Sequence, residues 1–429
     1  MRVLITGAKG QLATVLTMQA SCNSRCFMSL ASYKQSLARQ SVDQDIEPKS
    51  SSCQSSGNES NPPKYSDEQR QMMSRLFANI ERLVESDWQV LCLQRKDCDV
   101  TSETAVNHVF HTFMPQVVIN CAAFNRVDEA EEKPCRAQAV NGEGVELLAK
   151  WCVRIAAKLV HISSDYVFDG QANNKYSPQS KTAPLSAYGR SKLSGEQLIA
   201  KAYSTESTQA RNSKWMHSKQ DLSLNQERAR QQDLQAHDSR SLTATGIVPE
   251  PLIIRTAWLY SPYGDNFVKT MLRLQRDCKT LNIVADQMGS PTWADALAVM
   301  IWRAVRAGLS GLYHYGASNT CTWFELASKI QAFSNEQVLQ CEGERSIEQV
   351  DTSSCQLIPI SLAEYRKQQH KKGRVFALRP LNSSLESSTI HQHLAPHVGG
   401  NDAPNAHQWQ TQLQMMLKFM GMNNERHNC

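Results

Sequence analysis

"PLSAYGRSKLSGEQL", residues 184–198, sets Tyr188 and Lys192 four positions apart in a stretch of helical character from about Ser186 onward. Residues spaced i, i+4 share one helix face, one turn apart. A surface helix can carry such a pair by accident, and the Y-x-x-x-K spacing alone says little. The chemical reading is sharper: a cation beside a phenol favours phenolate and lowers a pKa that otherwise lies near ~10. Tyr188 would then exchange a proton near neutrality. The surroundings of the pair in the chain decide between the two.

Upstream, "KLVHISSDYVF" (158–168) is an apolar strand that ends in Ser163 and Ser164, and "QVVINCAAFN" (116–125) is another, with a helical stretch around 141–155 between them. "WQVLCLQR" (88–95) precedes both. The chain opens on "RVLITGAKGQLATVL", a β-branched strand, a glycine turn and a helix from Gln11 to about Ala20. Strands alternating with helices predict βαβ units and a Rossmann-type, doubly wound, mainly parallel α/β sheet. Gly7, Gly10 and Ala13 space the turn as G-x-x-G-x-x-A. A strand, a glycine turn and a helix N-terminus together offer free N–H groups and a positive helix end to a diphosphate. Two glycines at a tight α/β corner are the plain alternative. The N-terminal position of the motif inside a β-α pattern favours the diphosphate site.

Two polar stretches interrupt this pattern. Residues 21–65 are rich in Ser, Gln and Asn, contain Pro62-Pro63 and show no apolar period; residues 204–246 are similar. Both read as disordered surface insertions. Between them, Ser66 and Gln69 form a capping-box pattern, and Met72, Leu76, Ile80 and Leu83 make one stripe of a helix over 66–86. After "PLIIRTAWLY" the pattern becomes irregular, with helices expected near 267–276, 292–307 and 322–333, a polar region over 383–405, and a last helix over 409–420.

The chain has 429 residues, enough for two domains or one large α/β unit, and a net charge of only +5. That charge suits anionic small molecules and excludes the basic footprint of a nucleic-acid binder. Thirteen scattered cysteines form no secreted disulfide framework. Cys22 and Cys26 have metal-like spacing without a second pair, so no zinc site is expected. "MRVLITG" is too short for a signal sequence and no stretch approaches the ~20 apolar residues of a membrane span. The expectation is a cytoplasmic protein with neither nucleic acid nor membrane as partner.

Open parallel sheets place their ligand crevice at the carboxyl ends of the strands. The glycine turn, Ser164 and the Tyr188/Lys192 helix converge there, as a dinucleotide-dependent carbonyl reduction requires. Ser164 would hydrogen-bond the carbonyl oxygen, Tyr188 would deliver the proton, and Lys192 would lower the phenol pKa and hold the ribose. Alone, Ser164 reads equally as a strand-end hydroxyl that satisfies a loop.

With these pieces in place, the chain resembles the extended short-chain dehydrogenase/reductases and, more narrowly, the dTDP-4-dehydrorhamnose reductase family. The matching stretches are "ITGAKGQL", "VVINCAAFNRVDEAE", "ISSDYVFDG", "SAYGRSKLSGEQ", "IIRTAWLYSPYGDNFVKTML", "ADQMGSPTWADAL", "GLYHYGA", "TWFELA" and "RPLNSSL", in family order outside the two insertions. The resemblance implies an NAD(P)-binding Rossmann domain over 1–260. It implies a mainly substrate-binding, smaller mixed α/β region over 261–429, parts of which return to the Rossmann sheet. It implies a catalytic trio of Ser164, Tyr188 and Lys192. Cofactor contacts would come from Gly7, Gly10, Gln11, Leu12, Asp99, Val100, Ala123, Phe124, Asn125 and Ile162, with Tyr188 and Lys192. A dTDP-sugar substrate would meet Ser164, Asp165, Tyr166, Val127, Trp258, Asn266, Gln287 and Arg379. The implied reaction is reduction of the C4 ketone of dTDP-4-dehydro-6-deoxy-L-mannose to dTDP-L-rhamnose.

Three positions depart from the family pattern. Gln94-Arg95 stands where an acid would grip an unphosphorylated ribose, so Arg95 points to NADPH over NADH. Ala13 replaces the third glycine. Val15 takes the place of a glutamate that in some members holds a magnesium ion at a dimer contact. That substitution argues against Mg2+ and leaves a homodimer open. Two other readings share part of the signature: a nucleotide-binding regulatory subunit like that of methionine adenosyltransferase, and a reductase of another nucleotide sugar. "FNRVDEAE", "RTAWLY" with Trp258, and "DQMGSPT" side with the reductase.

Overall fold

The structure, a computed structural model, describes residues 1–21, 27–28, 64–212, 248–342 and 355–425. Six strands come first in the chain: β1 (Arg2–Thr6), β2 (Phe27–Met28), β3 (Gln89–Leu93), β4 (Val117–Asn120), β5 (Lys158–Ser164) and β6 (Leu252–Thr256). With Gly311–Tyr315 they form a seven-stranded sheet in the order Gly311–Tyr315, β6, β5, β4, β1, β3, β2. Every pairing in it is parallel. The strand order reverses between β1 and β4, and at such a switch point loops leave the sheet in opposite directions and open a crevice.

The sheet is buried on both faces by period-two alternation. Val3, Ile5, Val117, Ile119 and Val160 enter one core, packed with the helices Gln11–Ser21, Ala294–Arg306 and Trp409–Glu425. Leu4, Val118 and Leu159 enter the other, beneath Glu103–Phe113, Gly144–Arg154 and Ala187–Asn212. Behind the carboxyl edge lies a small mixed unit. A parallel pair, Thr280–Val284 with Gln356–Ile360, is flanked by Phe267–Asp277, Trp323–Glu342 and Leu362–Lys371.

Some expectations need correction. Most of 21–65 lies outside the described residues, as do Cys22 and Cys26, but β2 joins the sheet edge and Tyr65 is buried, its hydroxyl bonded to the Asp295 carboxylate. The second polar stretch is helical to Asn212; residues 213–247 lie outside the described residues. The Ser66/Gln69 capping box is present, yet its helix stops at Leu76. Tertiary bonds end it: Asp402 takes the Ala78 amide at 2.9 Å and Arg303 donates to the Ala78 carbonyl at 2.8 Å. The polar region 383–405 contains a helix, Ser388–Val398, whose Ile390 and Leu394 are buried. Two anchors in eleven residues leave a period too faint to read locally. No helix among the described residues is long and apolar enough to cross a membrane.

Candidate active site

The groove at the switch point starts at Gly7, with φ +79°. A Cβ there would stand 2.8 Å from the Ala122 amide nitrogen, so only glycine lets the first turn close on the loop after β4. The groove, about 480 Å³, is lined by Gly7, Gly10, Arg95, Asp99, Val100, Ala123, Phe124 and Asn125, all expected. Lys9, Arg126, Glu129 and Arg136 line it as well. The four basic side chains outnumber Asp99 and Glu129, which suits a polyanionic dinucleotide. Arg95 pairs with Asp99 at 2.8 Å. Burial pushes the Asp99 carboxyl up, but the Thr101 amide and Arg95 hold it below its ordinary value.

Gln11 and Leu12 take other parts. Leu12 is buried in the core, and the Gln11 side-chain oxygen Oε1 accepts from Ser261 at 3.0 Å and Asn266 at 3.1 Å. Asn266 also caps the helix Phe267–Asp277, so both amides are engaged in joining the first turn to the mixed unit. Asn141 is a residue that sequence reasoning missed. It accepts from Phe124 N at 2.8 Å, returns a bond to Phe124 O at 2.9 Å and donates to Ser191 at 3.0 Å. It thereby clamps the groove loop to the Tyr188 helix from within a single π-turn, Ala139–Glu143. The signal was the unread "AVNGEG". Arg136, whose guanidinium lies 5.7 Å from the Phe124 ring centre, had no local signal.

Ser164 ends β5, and its hydroxyl donates to Asp165 at 2.9 Å and accepts from Tyr166 N at 3.1 Å. Tyr188 stands opposite on the helix Ala187–Asn212. That helix lies so close to β5's exit that a Cβ on Gly189 would fall 2.1 Å from the Tyr166 carbonyl oxygen. Burial pushes the Tyr188 phenol up to about 12, Ser164 opposes this, and the Asp165 charge adds to it. Lys192 donates to the Ile162 carbonyl at 2.6 Å. Burial lowers its ammonium to about 8, against the supporting charge of Glu196. Burial is the leading influence on both groups, withdrawing the phenol and the ammonium from water. Asp165, almost wholly buried, is pushed up to about 6 by the same cause.

A second cavity of about 420 Å³ opens beside the mixed unit, lined by Phe267, Gln287, Trp323, Tyr365, Phe376, Arg379 and Asp128 among others. Nearby, the Tyr166 ring meets Tyr188 edge-on at 5.6 Å, and burial pushes its phenol up against the opposing charge of Arg379. On the other side, Tyr188 packs in one apolar cluster with Phe124 of the groove. Gln287 and Arg379 reach this cavity, whereas Val127 begins the helix Val127–Glu132 at its wall. Trp258 does not line it. Its ring stacks on Trp323 at 3.5 Å, with Gly289 close against it. Trp323 presents indole to the cavity, held by Gln287 at 3.0 Å, with Trp258 stacked upon it. Val15 is fully buried and offers no oxygen, and no His/Cys/Asp/Glu cluster fit for a metal occurs among the described residues.

A parallel sheet with a cationic groove at its switch point, beside a serine, a tyrosine and a lysine at the strand ends, defines the short-chain dehydrogenase/reductase class of nucleotide-binding α/β proteins. Residues 76–227 and 243–420 match the family described as RmlD substrate binding domain, and the chain belongs to that family. A dTDP-4-dehydrorhamnose reductase of Aggregatibacter actinomycetemcomitans is 30% identical over 311 residues, covering 71% of this chain and 84% of that relative. A dTDP-4-keto-6-deoxy-D-glucose reductase of Streptomyces niveus is 34% identical over 238 residues, covering 56% and 67%. The crystal structure of dTDP-4-dehydrorhamnose reductase from Bacillus anthracis in complex with NADP aligns with TM-score 0.59 and 25% identity, covering 97% of this chain and 98% of that one.

Proposed function

We propose that the protein is an NADPH-dependent oxidoreductase that reduces the C4 ketone of dTDP-4-dehydro-6-deoxy-L-mannose to dTDP-L-rhamnose. The observation that carries this reading is the placement of Tyr188, against Ser164, edge-on to Tyr166 and in one apolar cluster with Phe124 of the cationic groove.

The groove fits a nicotinamide dinucleotide on its own chemistry: a first turn closed tightly on the loop after β4 at Gly7, and a surplus of cations. Gly7, Gly10, Ala123, Phe124 and Asn125 would hold it, with Arg95 at a 2′-phosphate. The Arg95–Asp99 pair is half exposed, and such pairs contribute only ~0–1 kcal/mol, so a phosphate dianion competes for the guanidinium. A bound reduced nicotinamide would supply hydride to the carbonyl carbon, leaving the oxidised nicotinamide ring. Tyr188, protonated throughout the neutral range, gives its proton to the carbonyl oxygen, which suits the reductive direction. The Ser164 hydroxyl, once turned from Asp165, would donate to the developing oxyanion. Lys192, charged below pH about 8, favours the phenolate that remains. Trp323, Phe267 and Arg379 offer stacking surface and charge for base and diphosphate.

The testing experiment is NADPH oxidation by the purified protein with enzymatically generated dTDP-4-keto-6-deoxysugar, beside a UDP-linked control and an NADH series. Turnover on the dTDP sugar with preference for NADPH is expected. A rate no higher than that of Tyr188→Phe overturns the reaction, and a clear NADH preference overturns the role given to Arg95.

A further inference from the structure

The short helix Val127–Glu132 forms the partition between the two cavities. Arg126 and Glu129 line the cofactor groove, while Asp128 lines the aromatic cavity. From that partition Asp128 reaches the irregular segment 373–381, which crosses from the mixed unit. Its carboxylate accepts from the Ala377 amide at 2.9 Å and pairs with Arg379 at 2.9 Å. The guanidinium also donates to the Ala377 carbonyl at 3.1 Å and lies 3.8 Å from the Phe376 ring centre. Arg379 is thus held on three sides, with its side chain 18% exposed at the cavity. A guanidinium has five N–H donors, and two acceptors leave some of them for a ligand.

We propose that Asp128 is a positioning residue for the nucleotide sugar: it aims Arg379 at the substrate diphosphate and fastens segment 373–381 to the cofactor-side helix. This rests on the nucleotide-sugar reading above. A free arginine side chain loses much rotamer freedom when it clamps a phosphate, and one already fixed in place loses less. The arrangement keeps the local charge favourable, because Arg374 and Arg379 line the cavity against the single carboxylate of Asp128. Asp128 spans 251 residues of sequence to reach Arg379, so no local pattern announces it.

The test uses the full chain with thymidine diphosphate as probe, followed through tryptophan fluorescence, since Trp323 lines the cavity. The Asp128 side chain is 43% exposed, so Asp128→Asn folds. Asp128→Asn is expected to weaken thymidine diphosphate binding and raise KM for the sugar nucleotide by about tenfold, with kcat and NADPH affinity changed less than about twofold. In an Arg379→Ala background the same substitution adds much less loss, the remainder coming from its bond to the Ala377 amide. Equal weakening of NADPH and thymidine diphosphate, or an undiminished effect without Arg379, overturns the proposal in favour of a structural pin. Probe binding that depends on Asp128 without any NADPH oxidation would refute the reaction and keep the positioning role. Turnover by Asp128→Asn with wild-type KM would do the reverse.

Discussion

Glu196 accepts two hydrogen bonds from Arg255, at 2.9 and 2.7 Å, one helical turn beyond Lys192 and two beyond Tyr188. The pair is buried, at 7% and 4% side-chain exposure, and Ser163 donates to the same carboxylate. Removing one partner of a buried pair leaves an uncompensated charge and destabilises by ~3–5 kcal/mol. Arg255→Met is therefore expected to lower the thermal midpoint sharply. The neutral double variant Glu196→Gln with Arg255→Gln should keep more stability. If the single variant melts no lower than the double, the pair is not an interdependent unit.

Glu196→Gln alone, with Arg255 kept, tests the pH profile. The Glu196 charge supports the Lys192 ammonium, which already sits at about 8. Loss of the carboxylate makes Lys192 release its proton earlier, so the alkaline limb of kcat against pH moves to lower pH. For folding the sign differs. Lys192 is depressed from ~10.4, so between about 8 and that value the unfolded chain binds more protons, and this contribution to stability rises with pH. An alkaline limb that stays in place contradicts the role given to Glu196.

Tyr188→Phe deletes the proposed proton donor and leaves its ring in the apolar cluster that Phe124 also joins. Turnover should fall by ~10²–10⁴ while NADPH affinity, read by fluorescence titration, stays within about twofold. Retained activity removes the proposed acid.

Gly7→Ala places a methyl in backbone of φ +79°, 2.8 Å from Ala122 N and 2.9 Å from the Cys121 carbonyl. Strain of this kind costs about 1–3 kcal/mol, and relieving the clash pushes the first turn away from the loop after β4, both of which line the groove. The variant should lose NADPH binding and melt lower; normal binding would show that the groove is not the cofactor site.

Stability toward acid should depend on Asp402. Burial opposes its ionisation, but Arg303, at 2.7 Å from both carboxylate oxygens, and His407 at 3.0 Å hold it well below the usual carboxylate range. A depressed carboxylate stabilises above its unfolded pKa of ~3.9, and that stability is lost as pH falls further. Asp402→Asn should melt lower at pH 7 and lose the acid-dependent part of the decline. An unchanged acid profile would exclude Asp402 as its source.

Trp323→Ala should raise KM for the sugar nucleotide at least as far as Trp258→Ala does, because Trp323 lines the cavity and Trp258 supports it from behind. Affinity for NADPH should be nearly unaffected in both. A large effect from Trp258 with none from Trp323 would mean that the stack opens to admit substrate on the Trp258 side.

By itself the sequence determined the parallel sheet, its glycine turn and the helix that carries Tyr188 and Lys192. Each of these is written in a short period or a fixed spacing: alternation in Val3 to Ile5, a turn at Gly7, four residues from phenol to amine. Tertiary structure alone decided which aromatic faces the cavity, what Asp128 holds, how Asn141 clamps Phe124, and why the helix after Ser66 stops at Leu76. It also set the charge state, since Tyr188 and Lys192 lie beside one another in sequence while their pKa values follow from burial that distant segments impose. Local sequence encodes backbone period and spacing; contacts across hundreds of residues, and the loss of water they bring, exist only once the chain has folded.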